Sequence, residues 1–259
     1  MNNKDFFIWE GIYDHFPEDY IDRVFESERW VNSLRERSLR LLNEIEGGGT
    51  ISAHTLVHEH PLPPVVALLA AWVDTPIRIL DFGGGTGSSF VSLIKSLPTS
   101  DLVEFHVLET PAVCQLGREV YKKFRNLHFH DELPRDIKKF DVVHAANSLH
   151  YVADWRMMLG QFACYEPRFI MLSGLNAGDI ETFVSYQNYY GSKIPVWFWN
   201  VREIIGALEN LDYNLIYKSL LETSYLGKVQ PPPMGNFPPQ YQLKRKCNLI
   251  FLSNTYDTK

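Results

Sequence analysis

The chain has 259 residues, enough for one generous domain or two small ones around a real core, and its 45% hydrophobic and 22% charged residues are those of an ordinary soluble globular protein. Its 25 Lys and Arg against 31 Asp and Glu give a formal net charge of −6 with no basic run, which weighs against nucleic acid as the main partner because phosphate neutralisation needs a basic surface. The longest apolar run, 65–73, is about half a bilayer span, the start MNNKDFFIWEG lacks the apolar core of a signal peptide, and Cys114, Cys164 and Cys247 fit neither a disulfide framework nor a zinc knuckle, so a cytoplasmic protein with reduced thiols is expected.

Residues 15–46 carry an interrupted apolar stripe of helical period (Ile21, Val24, Phe25, Val31, Leu34, Leu41, Leu42, Ile45), stopped by Gly47-Gly48-Gly49. A second helix over 64–73 enters through prolines. Strands then alternate with helices: strands at 77–81, 103–108, 127–129, 140–144 and 168–173, helices at 88–96, 111–124 and 154–165. That alternation predicts a mostly parallel sheet with helices on both faces. An aromatic insertion at 176–200 interrupts it, followed by a helix at 201–209 and strands at 213–219 and 246–253 with no helix between them. The expected fold is therefore α/β and Rossmann-like, a seven-stranded mostly parallel sheet ending in an antiparallel hairpin. An N-terminal helical cap (1–74) precedes the main domain (75–259). Trp9 and Tyr13 are expected to anchor the cap, and the glycines at 47–49 to hinge it.

The strongest local signal is the run Asp81-Phe82-Gly83-Gly84-Gly85-Thr86-Gly87-Ser88, an apolar strand entering a glycine turn that opens a helix. Glycines allow positive φ and close approach of a ligand, and the helix start offers free N–H groups. A dinucleotide fingerprint counted from Gly83 needs glycine at position 88, where Ser88 stands. The acid Asp81 at the strand end suits a ligand with positive charge better than a pyrophosphate, and Glu109 at the end of the next strand can accept from ribose hydroxyls. A nicotinamide-dependent oxidoreductase is thereby disfavoured.

With DFGGGTG at 81–87, Glu109, HDELP at 130–134 and FDVVHAANSLHYVADW at 140–155, the chain resembles the class I S-adenosylmethionine-dependent methyltransferases over residues 77 to 253. It is similar, more closely, to a bacterial methyltransferase family associated with surface-polysaccharide gene clusters. Trp9-Glu10-Gly11-Ile12-Tyr13, HVLETP at 106–111, NSLHYV at 147–152 and SYQNYYGSKIPVWFW at 185–199 carry that likeness. The resemblance implies S-adenosylmethionine as cofactor, with Asp81, Gly83 and Gly85 at its methionine end and Glu109 on the ribose. It implies Thr110 beside the adenine, Asp131 or Glu132 at the adenine amine, and Asn147 approaching from below.

His150, just beyond the fourth strand at the carboxyl edge of the sheet, is the first candidate for a base acting on a hydroxyl acceptor, accompanied by Tyr151. In the insertion, Gln187, Tyr190 and Trp197 are candidate acceptor contacts, although part of the aromatic set must be core. His54, His58 and His60 lack a third ligand set and second shell, so no metal is expected, with His58 or His60 as reserve bases. No Asn/Asp-Pro-Pro-Tyr motif follows the fourth strand, which argues against the common amino-methylating enzymes. The reading is methyl transfer to a small hydroxylated acceptor such as a sugar or nucleotide-sugar, O-methylation before N or C, with Arg202 or Lys193 available to an anionic group. The alternative is a regulatory protein that binds the cofactor without turnover.

Overall fold

Apolar runs such as IRIL, FHVL and VVHAA have no polar face, so each strand must be covered on both sides, and that requirement builds the main layer structure. The computed structural model describes residues 6–18, 20, 24–47, 62–72 and 76–256. In chain order the elements are β1 (Trp9–Tyr13), α1 (Glu28–Glu46), α2 (Leu62–Ala70), β2 (Ile77–Phe82), α3 (Ser88–Ile94), β3 (Val103–Leu108), α4 (Pro111–Val120), β4 (Leu127–His130), β5 (Val142–Ala146) and α5 (Trp155–Ala163). They continue with β6 (Phe169–Leu175), β7 (Ala177–Gly178), β8 (Phe183–Tyr189), β9 (Ser192–Asn200), α6 (Val201–Glu209), β10 (Tyr213–Leu221), β11 (Thr223–Tyr225), β12 (Lys228–Gln230) and β13 (Lys246–Ser253).

The main sheet has seven strands in the order β10-β13-β6-β5-β2-β3-β4. β6, β5, β2, β3 and β4 are mutually parallel, and β13 is antiparallel to both β6 and β10. The hairpin expected at the sheet end is present, with its second strand inserted between the first and the parallel set. One face packs Val66, Leu69, Phe90, Val91 and Cys114 against Ile79, Phe105, Val107 and Val142. The other packs Trp155, Leu159, Phe162, Ile204 and Leu208 against Leu80, Val143, Leu172 and Phe251. Asp154 caps α5, its carboxylate accepting from Met157 N at 2.9 Å, which sets that helix start one residue after the sequence expectation.

The segment before the main sheet is not wholly helical. Ser27 Oγ accepts from Trp30 N at 3.3 Å and caps α1, so the helix begins at Glu28 instead of residue 15. Trp9–Tyr13 is a strand, paired antiparallel with β8 in a second sheet of order β1-β8-β9-β7. The aromatic insertion is thus largely a hairpin, closed by the two-residue turn Tyr190-Gly191 with φ of 48° and 88°, the both-positive geometry that matches strand twist. Trp9, Phe183, Phe198 and Tyr225 form this sheet's own core. A further two-stranded ribbon, β11–β12, occupies part of the stretch expected as a proline-rich loop, and its Leu226-Gly227 turn repeats the same geometry. Gly47 ends α1, its N–H donating to Asn43 O at 2.9 Å, while Gly48, Gly49 and the His54–His60 stretch lie outside the described residues.

Candidate functional site

The carboxyl ends of the parallel strands open into one cleft of about 1440 Å³, roofed by α1, the β8–β9 turn and the β11–β12 ribbon. Pockets for single small molecules run from roughly 300 to 1,000 Å³, so this one has room for two.

At one end stands the glycine turn. Gly83, Gly85 and Gly87 have φ of 65°, 59° and 91°. A side chain on Gly83 would run into Ser148, and a Cβ on Gly85 would meet only Leu34 Cδ2 at 3.8 Å, so the Gly85 backbone lies bare to the cleft. Glu109, directly after β3, ties the turn down. Its Oε1 accepts from Gly85 N at 3.1 Å and its Oε2 from Thr110 N at 2.9 Å. Thr110 caps α4 and its hydroxyl donates to Phe25 O at 3.4 Å. Ser38 of α1 and Thr86 share a hydrogen bond of 2.5 Å, which docks α1 over the turn. Asp131 and Glu132 both border the cleft and both are exposed.

Asp81 corrects the sequence expectation. It is fully buried and stands behind the cleft wall, not on it. Its Oδ1 is 2.8 Å from His144 Nδ1, and His144 Nε2 is 3.1 Å from Ser173 Oγ, so the acid is the first link of a chain crossing β2, β5 and β6. Its Oδ2 has no partner among the described residues and lies 2.5 Å from where a Cβ on Gly84 would stand. The acid therefore dictates glycine at position 84 and acts on the cleft through the turn. A bare glycine backbone, a carboxylate at the strand end lining the cleft and a buried acid behind them fit a nucleoside with a cationic arm.

The middle of the cleft is the β5 end. Asn147 has a left-handed φ of 52°, donates from its backbone to Ser173 O at 2.9 Å, and takes the space that a side chain on Gly174 would need. His150 follows on a short 3-10 turn and is only 2% exposed. Its Nδ1 has no partner among the described residues, and the ring borders the cleft. Burial first, then the nearby Lys246 charge, hold its pKa well below the ordinary histidine value, so the imidazole is neutral. Tyr151 lies against it, ring centroids 4.3 Å apart, and donates to Gln187 Oε1 at 3.1 Å.

The structure therefore brings Asn147, His150, Tyr151 and Gln187 together. Tyr190 also borders the cleft, held by Ser33 Oγ at 3.0 Å and by the Arg29 guanidinium over its ring. Trp197 does not belong to the cleft: its indole donates to Ala153 O at 3.2 Å and its ring packs on Phe16, so it joins β9 to the segment after His150. Lys193 is likewise engaged elsewhere, with Glu10 at 2.5 Å.

Phe25 and Trp30 are cleft residues that the sequence did not offer as site residues; with Tyr189 of the aromatic insertion they form an aromatic wall beside Tyr151 and Tyr190. Asn176 is 1% exposed with its Oδ1 unpartnered among the described residues, and Lys246 donates to Asn147 Oδ1 at 3.1 Å from the first position of β13. Lys246 ends the short Lys244-Arg245-Lys246 triplet, which reads as solvated charge in sequence, so only the fold reveals it. Among the described residues no group of three or more His, Cys, Asp or Glu could hold a metal, and no helix is long and apolar enough to cross a membrane.

Comparison with known proteins bears on the fold and the family. Of the solved structures, the 1,6-didemethyltoxoflavin-N1-methyltransferase of Burkholderia thailandensis, with 1,6-didemethyltoxoflavin and S-adenosylhomocysteine bound, is 14% identical at a TM-score of 0.50, over 93% of this chain and 99% of that one. A Listeria monocytogenes protein classed as an S-adenosylmethionine-dependent methyltransferase is 10% identical at a TM-score of 0.51, over 75% of this chain and 99% of that one. At such identity these share the fold alone. No curated protein matches in sequence. The methyltransferase-domain family matches over residues 57–218, well over half the chain. The chain belongs to the methyltransferase-domain family and is an S-adenosylmethionine-dependent methyltransferase.

Proposed function

We propose that this enzyme methylates a hydroxyl group of a small acceptor such as a sugar or nucleotide-sugar, in the cytoplasm, in the assembly of surface polysaccharide and without a nucleic-acid partner. The observation that carries it is the two-ended cleft, with the glycine turn and Glu109 at one end and the neutral, unpartnered His150 imidazole at the other. S-adenosylmethionine, when bound, supplies an electrophilic methyl group. Gly85 gives it a bare backbone, Gly83 shapes the turn before it, and Glu109, anchored on Gly85 and Thr110, holds the ribose hydroxyls.

The protein's remaining work is positioning and proton removal. His150 Nδ1 accepts the proton of the acceptor hydroxyl, and its low basicity keeps that nitrogen open at neutral pH. Tyr151, tied to Gln187, steers the ring, and Gln187 retains its amide N–H groups for acceptor hydroxyls. Tyr190 and its aromatic neighbours offer faces on which a sugar ring can stack. α1 and the β8–β9 turn cover the site and exclude water.

Calorimetric titration with S-adenosylmethionine, S-adenosylhomocysteine and NAD tests the donor half. Micromolar binding of the first two alone supports it, and binding of NAD alone refutes it. Given binding, a screen over hydroxylated sugars that yields a methyl ether supports the acceptor half. A methylamine or C-methyl product, or product formation at full rate by His150→Ala, would remove the hydroxyl acceptor or the base respectively.

A further inference from the structure

The strand order divides the cleft. The glycine turn follows β2, Glu109 follows β3 and Asp131 follows β4, so the nucleoside track runs over that half of the sheet. Asn147 and His150 follow β5, Asn176 follows β6, and Lys246 opens β13. At about 4.8 Å between neighbouring strands, the Lys246 strand stands roughly 14 Å from the strand bearing the glycine turn. Its side chain reaches back two strands to Asn147, where the amide oxygen accepts from Nζ at 3.1 Å. It therefore delivers a positive charge to the half of the cleft away from the nucleoside.

Lysine carries three N–H donors, and Asn147 takes one. No carboxylate among the described residues pairs with Lys246, whereas its chain neighbour Arg245, outside the cleft, has one in Glu222. Burial alone accounts for its pKa falling to about 8, so near neutral pH it stays charged, and only just. Two residues that line the same space each carry a buried polar atom unpartnered among the described residues: His150, 2% exposed, with its Nδ1, and Asn176, 1% exposed, with its Oδ1. A charged amine held in a partly desolvated cleft costs free energy unless an anion completes it.

We propose that Lys246, together with Asn147, binds an anionic group, a carboxylate or a phosphate, on the methyl acceptor, so that the substrates are hydroxylated acids and not neutral sugars. The inference rests on the methyltransferase reading above and narrows its substrate class. The anion sits on Lys246 Nζ, which places a hydroxyl elsewhere on the same molecule against His150 Nδ1. Asn176 Oδ1, an acceptor only, selects for a donor such as a second hydroxyl beside the anion.

The test uses the full chain with labelled lysine ζ positions, saturated with S-adenosylhomocysteine, and D-glucuronate, D-glucose 1-phosphate and D-glucose as probes at millimolar concentration. The Lys246 resonance is identified by its loss in Lys246→Gln. A saturable shift with glucuronate, with glucose 1-phosphate or with both, and none with glucose, supports the proposal and tells carboxylate from phosphate. Lys246→Gln should then weaken the acid by about tenfold or more, with Lys246→Arg restoring most of it, while affinity for S-adenosylhomocysteine moves by less than about twofold. No shift with either acid overturns it. So does a shift already produced by S-adenosylhomocysteine together with a tenfold loss of its affinity in Lys246→Gln, which would give the lysine to the cofactor's carboxylate. If the wild-type chain fails to bind S-adenosylhomocysteine at all, the methyltransferase reading falls and takes this inference with it.

Discussion

Glu109 offers a quantitative test because its carboxylate ties down the turn and borders the cleft at once. Oε1 and Oε2 accept from the backbone N–H groups of Gly85 and Thr110 at 3.1 and 2.9 Å, and the residue lines the cleft. Glu109→Gln keeps the shape but puts an NH2 where an oxygen stood. One of the two backbone N–H groups then faces a donor, and one ligand hydroxyl loses a charged acceptor. Hydrogen bonds to charged groups are worth about 1.5–3 kcal/mol each, so the Kd for S-adenosylhomocysteine should rise roughly ten- to a hundredfold. Folding should suffer less, by about 1 kcal/mol, because the site is half-buried and water replaces part of what is lost. Calorimetry reads the first quantity and urea unfolding the second. Glu109→Asp, which retains charge but not reach, should fall between wild type and Glu109→Gln in affinity. A Kd for Glu109→Gln within about twofold of wild type would show that this carboxylate does not hold the ligand and that the cleft has been read the wrong way round.

His150→Asn should lower kcat by about 10²- to 10³-fold with cofactor affinity unchanged, and the wild-type rate should show no fall between about pH 6 and 8 from this group, since burial holds the imidazole neutral there. A wild-type rate that halves near pH 6.5 and a variant that does not would contradict that assignment. His106, between His128 and His130 on β3 and β4, has its pKa lowered to about 4, chiefly by burial and then by those two neighbours. The unfolded chain takes up this proton near 6.5 and the folded one only near 4, so stability should fall by about 3 kcal/mol as pH drops through that window and be constant in this term above it. His106→Leu should flatten that part of the urea-unfolding profile. Gly117 of α4 faces the edge of the Phe129 ring, which leaves no room for a Cβ, and Gly117→Ala should cost about 1–3 kcal/mol in urea unfolding while leaving the cleft residues in place.

The main sheet was legible because its central strands are apolar runs bounded by turn residues, and 201–209 and 246–253 coincide with the observed α6 and β13. The second sheet was not. Its strands mix aromatic and polar residues without a strict period of two, as in Phe183–Tyr189, and its edge is closed by β1, some 170 residues earlier in the chain, a partner that no local pattern reports. The same limit explains the site. Glycines and Glu109 were visible because backbone geometry and strand ends are local properties. Lys246 and Asn176 were not, since a lysine beside two other basic residues and an asparagine after a strand look ordinary until the fold buries them. Trp197 shows the reverse error: a ring in an aromatic segment was read as a ligand contact, and the structure uses it to join β9 to Ala153.

Asp81 is the residue on which the choice of donor depends, although it does not border the cleft. The tautomer that satisfies both of its neighbours has Ser173 O–H donating to His144 Nε2 and His144 Nδ1–H donating to Asp81 Oδ1. That chain spans three adjacent strands and fixes the carboxylate against rotation. Oδ2 has no donor among the described residues and lies against Gly84 beneath the turn. In a low-dielectric surround such an oxygen projects its negative charge through the thin glycine backbone instead of being screened. A pyrophosphate laid on the same turn would meet that field as repulsion, whereas a ligand carrying a positive charge would meet it as attraction. Asp81→Asn should therefore do more than loosen a buried chain. It should weaken the cationic S-adenosylmethionine more than S-adenosylhomocysteine, which lacks the sulfonium charge, and the ratio of the two affinities isolates the field from any general damage to the fold. An equal loss for both ligands would mean that Asp81 only props up the turn.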